Sequence, residues 1–256
     1  MKEVMKEEVF EKEFEGKSQE TEQVAMKDEK ISKNAWVTIG FLFTLSIINV
    51  ADKSIIGLAS VPIMKDLNLS PSQWGIVGSS FFWLFSISAL LIGFLSDKVG
   101  TKKVITSISS IWAIVQFATV FTMNLPYLVA TRIILGAGEG PTYGLSMSMA
   151  AKSVPKQRMG TAMTLVSIGN TVGAAIAAPI LIYFIANHSW HAAFVFMGTV
   201  GTIWTICWIF LVKKDVAVVP EKVASSSTWK EVLPKLLSKN FIFIALCTLL
   251  HIGSFH

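Results

Sequence analysis

Between Thr131 and Pro141 the sequence T-R-I-I-L-G-A-G-E-G-P sets an arginine and a glutamate into an otherwise apolar stretch. Arg132 and Glu139 are the only charges between Val104 and Ala151, so both lie at bilayer depth if these segments span a membrane. Intramembrane charge is costly and by default faces a bundle interior or wet cavity on a substrate or proton path. Two helical turns separate the pair, which therefore shares one face about 10 Å apart along the axis. Gly136, Gly138 and Gly140 leave that helix a stripe without side chains where a neighbour can pack closely. An interhelical ion pair serving only as glue is the bland alternative. Such glue in membranes is more often Ser, Thr or Asn.

Composition agrees with a membrane setting. Of 256 residues, 52% are hydrophobic and only 15% charged, and the mean hydropathy is +0.58, outside the range of ordinary soluble domains. A polytopic, all-α integral membrane protein follows. The net charge of +5 reads as a topology signal, because the basic residues occupy short loops; nucleic acid is not an expected partner. Cys207 and Cys247 fall in apolar segments without metal-ligand spacing, so neither a disulfide framework nor a metal site is expected, and nothing calls for a cofactor.

The elements that would position the charged pair can be taken in chain order. Residues 1–34, with seven lysines and ten acidic residues, read as a solvated polar tail. A first span begins at Ala35 and continues as one long helix to Met64, carrying Asp52 and Lys53, because stopping at Ala51 would leave only the minimum spanning length. Further spans are expected over Gln73–Ser96, Val104–Met123, Tyr127–Ala151, Gly160–Ala186 and Ala192–Val212. Phe81, Phe82, Trp83 and Phe85 on the second read as packing or lipid-facing residues. The short link at Asn124–Pro126 makes the third and fourth helices antiparallel neighbours. Gly169-N-T-V-Gly173 on the fifth is a close-packing GxxxG whose Asn170 can hydrogen-bond across the bundle. Residues 35–212 thus form a six-helix domain, 213–240 a polar linker, and 241–256 the start of a seventh helix.

Lysines and arginines concentrate in the tail, around Lys98 to Lys103, around Lys152 to Arg158, and from Lys213 onwards. By the positive-inside rule these lie in the cytoplasm, as does the amino terminus. With that orientation Asp52 is about 25 Å from the start of the first helix, Arg132 about 8 Å and Glu139 about 18 Å from the outer end of the fourth. If the two helices face one cavity, two cations and two carboxylates line it. Such a set can bind an anion and carry a proton, since burial and neighbouring cations act in opposite senses on a carboxyl group.

At the level of motif, Gly93-F-L-S-Asp97-K-V-Gly100-T-Lys102-Lys103 resembles the signature loop of the major facilitator superfamily. Arg132 with Gly136, Gly138 and Glu139 is similar to the fourth-helix motif of that superfamily's anion:cation symporter family. N-V-A-Asp52-Lys53 resembles the same family's Asn-x-x-Asp-Arg pattern, with lysine, a point charge without the bidentate fork, in place of arginine. The resemblance covers residues 35–212, the amino-terminal half of the family fold. It implies proton-coupled symport of an organic anion such as a sugar acid (hexonate, hexuronate or glucarate) across the plasma membrane. By position it makes Asp52 and Glu139 proton-coupling carboxylates, and Lys53 and Arg132 substrate cations, with Asn170 beside them. Gly93, Asp97 and Gly100 would belong to a cytoplasmic gate in which Arg158 pairs with Asp97.

The partners so implied are a small organic anion, a proton, membrane lipid and a carboxy-terminal half or second chain. Family transporters rock two six-helix halves about a midplane site, so the chain is expected to be a truncated half, inactive alone. A drug or metabolite antiporter of the same fold is the first alternative. It would want G-x-x-x-G-P on the fifth helix, where Gly173 is followed by Ala174. A membrane-embedded enzyme is disfavoured, because neither G-x-S-x-G nor H-E-x-x-H occurs.

Overall fold

Apolar runs of this length leave no water for the backbone, and a helix satisfies every N–H and C=O within its own segment. The computed structural model describes residues 31–212, and what it describes is helical. Most of the expected tail (1–34), the linker 213–240 and the segment 241–256 lie outside the described residues.

Helix α1 (Lys33–Leu58) starts at Ser32, whose Oγ accepts from the Ala35 N–H at 3.2 Å. After Ala59 the short α2 (Ser60–Asp66) carries the same run onward. Ala59 donates to Ile55 O and accepts from Ile63 N, so the backbone ladder bends there without parting. The expected helix to Met64 is therefore two segments. Helix α3 (Pro71–Val99) opens with a capping box between Ser70 and Gln73 and with Pro71 in its first turn. It closes at Gly100, whose φ of 99° lies where a side chain would be strained. Helix α4 (Thr101–Val120) begins directly after that glycine.

The fourth apolar run is divided. Helix α5 (Leu125–Glu139), capped by Asn124, ends one residue past the glycine stripe's centre, and α6 (Thr142–Lys152) follows after Gly140 and Pro141. Proline has no N–H to offer the preceding turn. Both linking residues keep right-handed helical angles, and Thr142 Oγ1 donates to Gly138 O at 3.2 Å. The expected continuous helix over Tyr127–Ala151 is thus a broken one, with Glu139 at the break. Five other helices are long and apolar enough to cross a membrane, or become so with their leading turn: α1, α3, α4, α7 (Met159–Asn187, preceded by a 3-10 turn over Lys156–Arg158) and α8 (Trp190–Leu211). The fourth expected span corresponds to α5 and α6, of 15 and 11 residues, neither long enough to cross alone.

The helices associate chiefly as α1 with α7, α3 with α5, and α4 with α8. Small residues set the first two pairings. A Cβ on Gly136 would strike the backbone of Phe81, and one on Gly140 the backbone of Phe85. On α7 a Cβ at Gly169 would lie 2.6 Å from Phe43 O, and one at Gly173 2.9 Å from Ile47 Cα. Gly138 is different, with 3.8 Å to Ile108 Cγ2. The α4/α8 pairing uses tryptophans and a cap: Trp208 Nε1 donates to Thr106 Oγ1 at 3.1 Å, and Lys102 Nζ donates to Ile209 O at 3.2 Å and to Val212 O. A lysine of the signature-like loop thus closes the end of α8, where cations complement the free carbonyls.

Candidate functional site

On α1, Leu42 and Leu45 belong to one buried apolar cluster and Ala51 and Ile55 to another. Asn49, Asp52 and Lys53 stand at the seam between them. The tight α3/α5 packing brings Glu139 to the same place, because Gly136 and Gly140 let α5 approach until backbones touch.

Asn49 Nδ2 donates to Glu139 Oε2 at 3.1 Å, and Lys53 Nζ donates to Asn49 Oδ1 at 2.8 Å. Lys53 Nζ also lies 3.7 Å from Glu139 Oε2. One amide thus joins cation to carboxylate while the two keep their own ionic contact. Exposure divides the pair: the Glu139 side chain is sealed at 0%, whereas that of Lys53 is 40% exposed. The ring of Phe85, 5.4 Å from Nζ, backs the ammonium, a distance at which the ring face attracts a cation.

Asp52 and Arg132 are fully enclosed, at 0% and 1% exposure. Arg132 and Lys53 are the opposite charges near Asp52, Glu139 lies within side-chain hydrogen-bonding reach of it, and Arg132 feels both carboxylates. Two cations and two carboxylates therefore form one mutually compensating group, the condition under which charge is tolerated at membrane depth. Among the described residues no partner outside the two acids reaches either carboxylate oxygen of Asp52 or Oε1 of Glu139, and none reaches Nε and Nη2 of Arg132.

Other expected site residues lie elsewhere. Asn170 is half-buried on α7, and among the described residues no hydrogen bond joins it to the charged group. Asp97, at the end of α3, lies 3.8 Å from Lys152 at the end of α6, and both are largely exposed. A cation at Asp97 is thus Lys152, which closes α6; the expected Arg158 lies in the exposed 3-10 turn that follows. Gly100 needs its positive φ, whereas a side chain at Gly93 would meet nothing within 4 Å.

Three participants escaped the sequence reading. Asn49 was visible as the first letter of N-V-A-Asp52, one turn before Lys53. Phe85 was grouped with packing aromatics although it faces Lys53. Gln116 on α4 is 2% exposed with neither amide atom partnered; its signal was a lone amide in an apolar span.

Comparison with known proteins gives this geometry its relatives. The family model described as Major Facilitator Superfamily matches residues 42–255. A "Hexuronate transporter" of Bacillus subtilis is 31% identical over 183 residues, 72% of this chain and 43% of that protein. A "Probable sulfoacetate transporter" of Cupriavidus necator is 29% identical, with 71% and 42% covered, and a "D-galactonate transporter" of Escherichia coli is 26% identical, with 70% and 42% covered. The chain thus spans less than half the length of these curated relatives. A bacterial homologue of the human lysosomal transporter Spinster, solved in an inward-facing, unoccupied conformation, shares the fold with a TM-score of 0.66 at 18% identity, covering 80% of this chain and 50% of that one.

Proposed function

The chain belongs to the major facilitator superfamily, and from that premise we propose that it supplies the amino-terminal half-site of a proton-coupled symporter for a small organic anion, a sugar acid first among them. It is a multi-pass membrane protein of a transporter family and not an enzyme. The relatives' names support the anion, since hexuronate, galactonate and sulfoacetate are all carboxylates. The positive-inside pattern supports a cytoplasmic amino terminus in the cell membrane.

The observation that carries the reading is the contrast within the Lys53–Glu139 pair. A reachable ammonium is shared with a sealed carboxylate. A substrate carboxylate arriving on Lys53 takes over as its counter-charge, and Glu139, released from the cation, is kept neutral by a proton, so the anion and proton bind together. Arg132 stays with Asp52 and holds the second carboxylate in the enclosed part of the group. Opposite charges at this depth neutralise one another, so each change of partner must be matched by a proton.

The test uses proteoliposomes carrying the chain, alone and joined in frame to the carboxy-terminal half of a hexuronate-transporting relative. An inward proton gradient is expected to accelerate glucuronate or galactonate uptake in the joined protein, a protonophore to cancel the acceleration, and Glu139→Gln to remove the gradient dependence. Gradient-independent uptake in the unsubstituted protein would refute proton coupling.

A further inference from the structure

Asp52, enclosed like Glu139, has that second acid within side-chain hydrogen-bonding reach and no other partner among the described residues. What it faces on its other side is a small cavity between α1, α4 and α8, lined by Ile48, Asp52, Trp112, Ala113, Gln116 and Gly201, with Met197 closing it. The cavity measures about 10 Å³, at the lower edge of what holds a single water. Asp52 and Gln116 bring a carboxyl group and an amide to its lining; the amide oxygen and nitrogen are buried without a partner among the described residues, and the carboxylate oxygens are buried with none besides Glu139. Ile48, Trp112, Ala113 and Gly201 supply the remaining walls.

We infer that this cavity is a one-water site, and that Gln116 is a positioning residue which holds Asp52 through that water. The chemistry of the donor set selects water. Water needs two to four polar partners, and two flanking side chains provide four atoms. A hard divalent cation would want about six oxygens, twice what carboxylate and amide offer together. The amide also suits an acid that changes its protonation. Gln116 both donates and accepts, so the water between can donate to an ionised Asp52 or accept from a protonated one by turning round. The charged groups facing Asp52 are Arg132 and Glu139 from α5 and Lys53 from α1; from α4 it is the uncharged Gln116. The water therefore adapts to the proton on Asp52 while the fixed charges do not. A water bridge of this kind approaches a direct hydrogen bond in strength.

The inference rests on the transport reading only for its consequence in coupling. The water itself can be read without transport, by pH-difference infrared spectroscopy of the 256-residue chain in nanodiscs, with Asp52→Asn identifying the Asp52 carboxyl band. A water O–H band that shifts in H₂¹⁸O is expected to appear together with Asp52 protonation. Gln116→Leu should abolish it and move the Asp52 midpoint by about one pH unit, a tenfold change in proton affinity. Gly201→Ala is the second variant: its methyl would lie 3.6 Å from Ala113 Cβ, an ordinary contact, while entering the cavity. It should also abolish the band, with both polar side chains intact. Gly78→Ala, on the exposed side of α3 where a methyl meets nothing within 4 Å, should change nothing. An unshifted midpoint and a persisting band in Gly201→Ala and Gln116→Leu would overturn the inference, as would a sodium-dependent Asp52 band at fixed pH. If uptake proves proton-independent while the water band behaves as expected, the transport reading alone falls.

Discussion

Two ion pairs in this molecule have nearly the same length and opposite surroundings. Lys53 and Glu139 are 3.7 Å apart, Lys152 and Asp97 3.8 Å. The first joins a sealed carboxylate to a half-covered ammonium between helices; the second joins side chains 59% and 71% exposed at the bundle's lysine-rich end. Distance alone would rank them equal. Coulomb attraction scales inversely with the local dielectric, and removing water from an ion costs several kcal/mol, so the inner pair is both strongly coupled and costly, the outer one neither. The inner pair can thus transmit a change of charge, whereas the outer pair can at most steady a loop.

Substitutions can break this contrast at several depths. Arg132→Met should have the largest effect, because it strands Asp52 and Glu139 together. The expected loss is about 3–5 kcal/mol, as when one member of a buried pair is removed, measured by denaturant titration of the chain in mixed micelles; a loss as small as that of Asp97→Asn would erase the distinction between the two regions. Lys53→Met should cost less, about 1.5–3 kcal/mol for the hydrogen bond and charge contact it forfeits, since Lys53 already reaches solvent. Asp97→Asn should cost under about 1 kcal/mol. Double-mutant cycles sharpen the comparison further: raising salt from ~0.1 to ~1 M shortens the screening length from ~10 to ~3 Å, so coupling between Asp97 and Lys152 should vanish while that between Lys53 and Glu139 persists.

Much of the fold was legible because membranes leave so few options. Runs poor in charge marked the apolar helical segments to within a few residues, and Gly169 and Gly173 marked a close-packing face on α7, whose neighbour α1 only the fold identifies. The break at Gly140 and Pro141 was less legible, although Pro141 was in plain view. A proline removes one hydrogen bond, but whether the helix bends or stops depends on what packs beside it, here the backbone of Phe85 against Gly140. The partnership of α3 with α5 and of α4 with α8 was hidden for the same reason: it joins segments distant in sequence. At the site, charge type and spacing pointed to Asp52, Lys53, Arg132 and Glu139. Asn49 and Gln116 carry no charge, so only their placement among buried charges reveals what they touch. Asp97 illustrates the converse, since its charge marks the loop, whereas the approach of Lys152 from the end of α6 depends on how the helix ends meet.

The four glycines of the α3/α5 and α7/α1 contacts have a mechanical consequence. Two rods that touch only through side chains can slide, because rotamers yield. Where backbone lies against backbone, as at Gly136 on Phe81 and Gly173 on Ile47, there is no soft layer to shear, and each pair bends like a laminated beam. Glu139 is clamped on one such beam and Lys53 on the other. Strain applied anywhere along either is delivered, with little lost to local give, as a change in the gap between those two residues.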